Sequence, residues 1–150
     1  MLAVLTSTPT EIGRITRGCT DRQLHHKPTA DAWSALEILA HLRACAEVWG
    51  RSIGRMLAED EPTLRYVSPR GWIRKTDYLQ VSFHDSFEAF SHQRAALIAT
   101  LESLDEVDWS RGATFTATTL GREATVLSYA DRIAAHELKH LEQLRRTLGI

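Results

Sequence analysis

The sequence contains very little cysteine, which limits the classes of protein it can encode. Only Cys19 and Cys45 occur among the 150 residues, and they do not form a CxxC pair. Disulfide frameworks and zinc knuckles need several cysteines at short, regular spacings. The sequence therefore argues against both, and we expect the protein to work in a reducing compartment.

The chain has no excess of either charge and no long apolar run. Its 18 Lys and Arg residues against 19 Asp and Glu give a formal net charge of −1, whereas nucleic-acid binding normally requires a basic surface. No stretch approaches the roughly 18 apolar residues of a membrane span. Residues 1–6 contain no basic residue and form too short an apolar run for a signal peptide. We expect a cytoplasmic protein with neither a nucleic-acid nor a membrane partner.

The residues that are present suit one globular domain built from helices. Hydrophobic residues make up 43% of the chain and charged residues 25%, and a chain of this length can bury a core unaided. We expect a single domain over residues 1–150. The 3.6-residue apolar period predicts four helices, at about 9–18, 34–59, 84–104 and 125–149.

Capping residues mark the starts of the first two helices. Thr8 and Glu11 form a potential capping box with Pro9 at the first helical position, although the apolar residues within 2–5 could extend this helix backwards. Ser34 and Glu37 form a second box. The second helix should therefore begin directly after Ser34.

Two long connections flank the third predicted helix. Residues 62–81 are numerous enough to cross the length of a bundle, which would let the second and third helices run parallel. Residues 105–122 are rich in Thr, Gly and Ala, and Phe115 to Thr119 could form a short extended piece. The sequence therefore predicts an all-α four-helix bundle with a long crossover connection.

Three histidines fall on the apolar stripes of the predicted helices. His136 and His140 lie four residues apart and so share one helix face. His41 lies on the same stripe of its helix as Ile38 and Cys45. Three neutral imidazoles with one vacant position form the open coordination sphere of catalytic zinc sites. We interpret His41, His136 and His140 as ligands of one divalent metal ion.

Two other interpretations of these histidines have weight. A histidine pair at this spacing is often an ordinary polar stretch of helix surface, and a lone buried histidine commonly bonds to a backbone carbonyl. The HExxH spelling of residues 136–140 also matches zinc proteases, in which the Glu is the general base. Only ten residues follow His140, with no histidine among them, so the downstream third ligand of such enzymes has no room. The convergence of three histidines favours a metal site of another kind.

Two blocks of sequence resemble the DinB-like superfamily. Residues 27–42 contain a Trp-Ser pair, Trp33-Ser34, with His41 seven residues after Ser34. Residues 135–144 contain the late His-x-x-x-His motif, followed by Leu-x-Gln and a hydrophobic residue. The layout of the whole chain is similar, while the specific matches are confined to these blocks.

The resemblance implies a four-helix bundle with a crossover, often a homodimer, that binds zinc, nickel or iron through His41, His136 and His140. Relatives include S-transferases and isomerases that use a low-molecular-weight thiol. By analogy, the fourth metal position would take water or the thiol sulfur, and the partners would be a thiol and an electrophilic substrate. The alternative is a non-catalytic bundle that binds a metal or ligand in a stress response, because one fold hosts many functions.

Several neighbouring residues have open roles at this stage. Cys45 could be a neighbour of the site, an extra soft ligand or a small core residue. Glu37 could accept the distal N–H of His41, in competition with its capping role. Arg132 could contact an anionic substrate or simply be solvated, and Tyr129 and Trp72 could line a pocket or the core. The remaining histidines are expected on the surface: His25, His26, His84 and His92.

Overall fold

The computed structural model describes residues 1–118 and 122–150 and consists mainly of helices. In chain order the elements are α1 (Leu2–Thr16), α2 (Asp21–His25), α3 (Ala35–Ala58), β1 (Thr63–Arg65), α4 (Pro69–Ile73), α5 (Phe83–Glu102), α6 (Glu106–Ser110), β2 (Gly112–Thr116), β3 (Glu123–Thr125) and α7 (Val126–Leu148). The four long helices α1, α3, α5 and α7 correspond to the four that the apolar period predicts. The three short helices are additions that carry too few residues to show a period.

Helix α1 begins at Leu2 and not at Pro9, so the expected capping box at Thr8 is wrong. Pro9 lies inside the helix, and the Thr8 hydroxyl donates to the carbonyl of Val4 at 2.9 Å. Extending the helix backwards buries Leu5 completely. This burial offsets the backbone hydrogen bond that Pro9 cannot donate.

The starts of α3 and α7 are capped by their own side chains. Ser34 Oγ accepts from the backbone N–H of Glu37 at 3.2 Å, and Glu37 Oε2 accepts from the backbone N–H of Ser34 at 2.8 Å. Thr125 caps α7 in the same way, and Gly149 ends it in the left-handed conformation with φ 72°. The predicted bounds of both helices are confirmed. They could be predicted because these caps join residues that are close in the sequence.

Two apolar clusters, one at each end of the bundle, show the helix directions. The first cluster includes Leu5, Ile53, Leu101 and Val126. The second cluster includes Ile12, Leu36, Phe83 and Leu144. Helices α1 and α7 therefore run from the first cluster to the second, whereas α3 and α5 both run from the second to the first. The parallel α3–α5 pair confirms the predicted crossover connection.

The crossover is fastened to α3 through Glu47. The Glu47 carboxylate accepts from Trp72 Nε1 at 2.9 Å and from the Tyr78 hydroxyl. The guanidinium of Arg43 lies 3.9 Å from the centroid of the Tyr78 ring. These contacts hold α4 against α3, which fixes the side chains that α4 presents.

A small sheet closes the end of the bundle near the first apolar cluster. Its order is β1-β2-β3, with β1 parallel to β2 and β3 antiparallel to it. A Cβ on Gly112 would lie 2.7 Å from the carbonyl oxygen of Ala124, so this strand pair requires glycine there. The extended piece expected at Phe115 to Thr119 is observed at Gly112–Thr116, and Thr119 lies outside the described residues.

A helix that crosses a membrane needs roughly 20 mainly apolar residues. Within residues 1–118 and 122–150, no helix combines that length with enough apolar residues to cross a bilayer.

Candidate metal centre

The fold brings His41, His136 and His140 together. His136 Nε2 lies 3.1 Å from His41 Nε2 and 3.1 Å from His140 Nε2. His41 comes from the N-terminal half of α3, and the other two project from successive turns of α7. Antiparallel packing of α3 on α7 thus places three imidazole nitrogens around one point.

Two tryptophans flank the three rings. The Trp33 ring stacks on His140, with ring centroids 6.0 Å apart and planes 3° apart, and meets His41 edge-on at 5.1 Å. Trp49 meets His136 edge-on at 5.0 Å. Only 6% of His41 is exposed. These apolar walls fix the ring orientations and keep water from surrounding the nitrogens.

Protons alone cannot satisfy the contacts between these nitrogens. His140 Nδ1 lies 2.8 Å from the Gln143 side-chain oxygen and donates to it, so a neutral His140 carries a lone pair on Nε2. A single N–H on His136 Nε2 cannot make linear hydrogen bonds to both neighbours at once. At least one of the two 3.1 Å contacts therefore joins two nitrogens that form no linear hydrogen bond with each other.

Burial keeps the three imidazoles neutral. Desolvation, assisted by the charges of His140, His136 and Arg70, lowers the pKa of His41 to about 3. Desolvation also lowers the pKa of His136 to about 4 and lowers the pKa of His140. Neutral imidazoles are the form that coordinates metals, so at neutral pH no proton has to be removed.

Cys45 borders the cluster one turn after His41. Its Sγ lies 3.5 Å from His41 Nε2, and the ligand atoms of Cys45, His41 and His136 all lie within 4.8 Å of one another. Burial raises the pKa of this thiol well above its ordinary value. Cys45 is thus both a buried core residue and a neighbour of the histidines.

The two acidic residues that sequence reasoning linked to the histidines lie elsewhere. Glu137, the Glu of the HExxH spelling, forms a buried ion pair with Arg94 of α5 and has no access to a substrate. Glu37 caps α3 and pairs with Lys27 at 2.7 Å, so of its two open roles the structure shows the capping one. Among the described residues, His41 Nδ1 has no hydrogen-bond partner.

A cavity of about 450 Å³ opens onto His140, one of the three histidines. Its lining includes Trp33, Arg70, His140, Gln143 and Arg146. Neither Arg70 nor Gln143 was assigned a role from the sequence. Gln143 belongs to the quoted Leu-x-Gln motif, which could have identified it, whereas Arg70 reaches the site only through the path of the crossover and carries no local signal.

Other residues with open roles lie away from this cavity. Tyr129 and Trp72 line a second cavity of about 150 Å³ on the far side of Trp49. The Arg132 guanidinium lies 5.3 Å from the centroid of the Tyr129 ring. The four other histidines are exposed as expected: His25, His26, His84 and His92.

Comparison with solved structures shows the same fold. YfiT from Bacillus subtilis, described as a probable metal-dependent hydrolase with an unusual four-helix bundle topology, superposes with a TM-score of 0.77 at 20% identity. The match covers 99% of this chain and 85% of YfiT. The DinB-like protein YjoA from Bacillus subtilis matches with a TM-score of 0.64 at 15% identity, over 98% of this chain and 87% of YjoA.

Sequence comparison extends over nearly the same length. The uncharacterized protein YuaE of Bacillus subtilis is 26% identical over 141 residues, which cover 86% of this chain and 85% of YuaE. The family model of the DinB superfamily matches residues 5–144. Together with the parallel α3–α5 crossover, this match confirms the resemblance found in the two histidine blocks. The chain therefore belongs to the DinB superfamily.

Proposed function

We propose that the protein binds one divalent metal ion, zinc, nickel or iron, through His41, His136 and His140. The observation that carries this proposal is the pair of 3.1 Å contacts at His136 Nε2. Three nitrogens on one tetrahedral ion at the usual 2.0–2.1 Å lie about 3.3 Å apart. The two observed contacts are close to this separation, so one ion held by these nitrogens could replace both contacts.

We further propose that the metal-loaded site transfers or rearranges a low-molecular-weight thiol on an electrophilic substrate. A divalent ion supplies positive charge that lowers the pKa of a thiol or water molecule reaching the site. In the transfer, the sulfur forms a bond to an electrophilic carbon, the leaving group departs with the bonding electrons, and the thiol proton passes to solvent.

The surroundings of the histidines favour a thiol over water as the nucleophile. Among the described residues, no carboxylate bonds to the three imidazoles or shifts their pKa values, and Glu137 is occupied by Arg94. Free thiols have a pKa of about 8.5, close to neutrality, whereas the pKa of free water is far higher. A site whose imidazoles have no carboxylate partner suits the nucleophile that ionises more easily.

The chain's own residues supply binding and orientation. Gln143 fixes the Nδ1–H tautomer of His140 and turns its Nε2 lone pair towards the other two rings. Trp33 and Trp49 limit water around the nitrogens. The cavity beside His140 gives a small substrate access to the same point.

A metal-dependent hydrolase is the second candidate, by analogy with the description of YfiT. Asp31 is the carboxylate that lines the cavity, and it could act as a general base on water. A bundle that binds metal or a ligand without turnover is the third. The three functions differ in which nucleophile, if any, the loaded protein activates.

One experiment separates these functions. Untagged protein is loaded with zinc, nickel or iron(II), its metal content is measured, and turnover is followed with 1-chloro-2,4-dinitrobenzene plus a panel of thiols, and with p-nitrophenyl acetate alone. We expect thioether formation that requires both metal and thiol. Ester hydrolysis without thiol that is lost in Asp31→Asn would favour the hydrolase, and full metal occupancy with no turnover would favour the binding bundle.

A further inference from the structure

Two arginines at the mouth of the cavity form no ion pair, although one acidic residue, Asp31, lines the same cavity. Arg70 and Arg146 both line it, and within residues 1–118 and 122–150 neither guanidinium has a carboxylate partner. Neighbouring cations are paired, since Arg145 lies 2.7 Å from Glu11 and Lys27 lies 2.7 Å from Glu37. The cavity mouth is therefore left with positive charge.

Arg70 is held close to the histidines. Helix α4 carries it and is fixed to α3 through Glu47, and its guanidinium lies 5.1 Å from the centroid of the Trp33 ring. The same Trp33 ring stacks on His140. The charge of Arg70 acts on His41, His136, His140 and Cys45, so this cation faces the site.

A metal ion would increase this imbalance. Three neutral imidazoles leave the full charge of a divalent ion uncompensated, and the acidic residue that lines the cavity, Asp31, is exposed to solvent. Guanidinium groups bind carboxylate, phosphate and sulfonate groups through charge-assisted hydrogen bonds. An anionic group on the substrate would balance both the arginines and the ion.

We infer that Arg70 and Arg146 make the site selective for substrates that carry an anionic group, with Arg70 as the main specificity-determining residue. The inference rests on the proposed metal binding by the three histidines. The reacting atom of the substrate would lie at the metal ion, while the anionic group at the far end of the substrate would contact the guanidinium of Arg70. The neutral part between them would lie along Trp33.

The test uses two thiols with the same three-carbon chain, one ending in an anionic sulfonate and the other in a neutral hydroxyl. Cobalt(II)-loaded protein is titrated with 3-mercaptopropane-1-sulfonate and with 3-mercapto-1-propanol, and the Kd of each is read from the sulfur-to-cobalt absorption. A sulfonate coordinates metals poorly, so any preference reports on the protein. We expect the sulfonate to bind about fivefold or more tightly than the alcohol. Arg70→Gln should remove most of this difference without weakening cobalt binding, and Arg146→Gln a smaller part.

Arg74→Gln is the matched control. Arg74 is an exposed arginine that follows α4 and lies outside the cavity lining, so the preference should persist in this variant. Equal Kd values for the two thiols in the wild type, or a preference that survives in the Arg70→Gln/Arg146→Gln double variant, would overturn the inference and leave metal binding intact. Failure of the wild type to retain cobalt would overturn the proposed function, and the inference with it.

Discussion

Helix α7 contributes to two polar clusters, one half-buried and one fully buried, that differ in how their charges are balanced. His136 and His140 face α3, where they meet His41. Glu137 faces α5, where it pairs with Arg94. Arg94 and Glu137 are 1% and 2% exposed, and each neutralises the other. The histidine cluster is neutral from the start, opens to a cavity, and has nitrogen contacts that no arrangement of protons satisfies.

This difference separates a structural cluster from a binding site. A buried ion pair with both partners present is complete within the protein, and its removal should affect folding. Three converging lone pairs are incomplete, and their natural complement is a cation.

Breaking the ion pair should have the largest effect. Arg94→Ala leaves the Glu137 carboxylate buried without a counter-charge, and we expect the free energy of unfolding to fall by about 3–5 kcal/mol. Urea denaturation of the metal-free protein measures this. Replacing both residues, in Arg94→Met/Glu137→Met, should recover most of the loss because no buried charge remains. A single variant as stable as the wild type would contradict a structural role for the pair.

Breaking the histidine cluster should affect metal binding more than folding. We expect His136→Ala to weaken zinc affinity by more than about 100-fold, because losing a ligand costs more than losing an orienting partner. The circular dichroism spectrum should change little. Competition with a chelator measures the affinity, and His92→Ala, which alters an exposed histidine of α5, is the control. Wild-type affinity in His136→Ala would count against the proposed ligand set.

The metal-free protein should lose stability in mild acid. The pKa values of His41 and His136 are lowered from 6.5 to about 3 and about 4 by burial. Between pH 6.5 and 4 the unfolded chain takes up protons that the folded chain refuses, so the free energy of unfolding falls as the pH falls. Each imidazole contributes at most about 1.4 kcal/mol per pH unit.

Urea denaturation at pH 7.5, 6 and 5 tests this pH dependence. The decrease should be shallower in His136→Gln, which lacks one of the titrating groups, and unchanged in His92→Gln. Identical pH dependence in the wild type and in His136→Gln would show that His136 does not resist protonation in the folded state.

Cys45 should have the smallest effect. Its Sγ lies beside His41, but burial raises the pKa of the thiol, so ionising it would cost part of the binding energy of any metal. We therefore expect Cys45→Ala to change zinc affinity by less than about threefold, a loss too small for a missing ligand. Isothermal titration calorimetry can measure the change. A loss as large as that expected for His136→Ala would make Cys45 a fourth ligand.

The sequence was most informative where an interaction is local. The Ser34–Glu37 capping box and the apolar period predicted α3 and α7 correctly. The i, i+4 spacing placed His136 and His140 on one face, since that face follows from helix geometry alone. The start of α1 predicted at Pro9 was wrong, and the backward extension was right. Packing of Leu5 against residues far away in the sequence outweighed the local signal of Thr8 and Pro9.

Residues that meet across the bundle were beyond local reasoning. The sequence placed Glu137 beside two histidines, and only packing showed that it points to Arg94 instead. Likewise, Arg70 reaches the histidines because the crossover is fastened to α3 by Glu47. No periodic pattern in the sequence predicts either contact.

The amino-acid sequence was enough to predict four amphipathic helices, the length of the crossover, the histidine pair on α7 and the likeness to the DinB superfamily. Only the folded molecule showed that His41 lies 3.1 Å from His136, that Glu137 is buried against Arg94, and that two unpaired arginines border the cavity. The difference lies in the range of the interactions. Helix periodicity and capping act over three or four residues, whereas the convergence of side chains far apart in the chain depends on how whole helices pack.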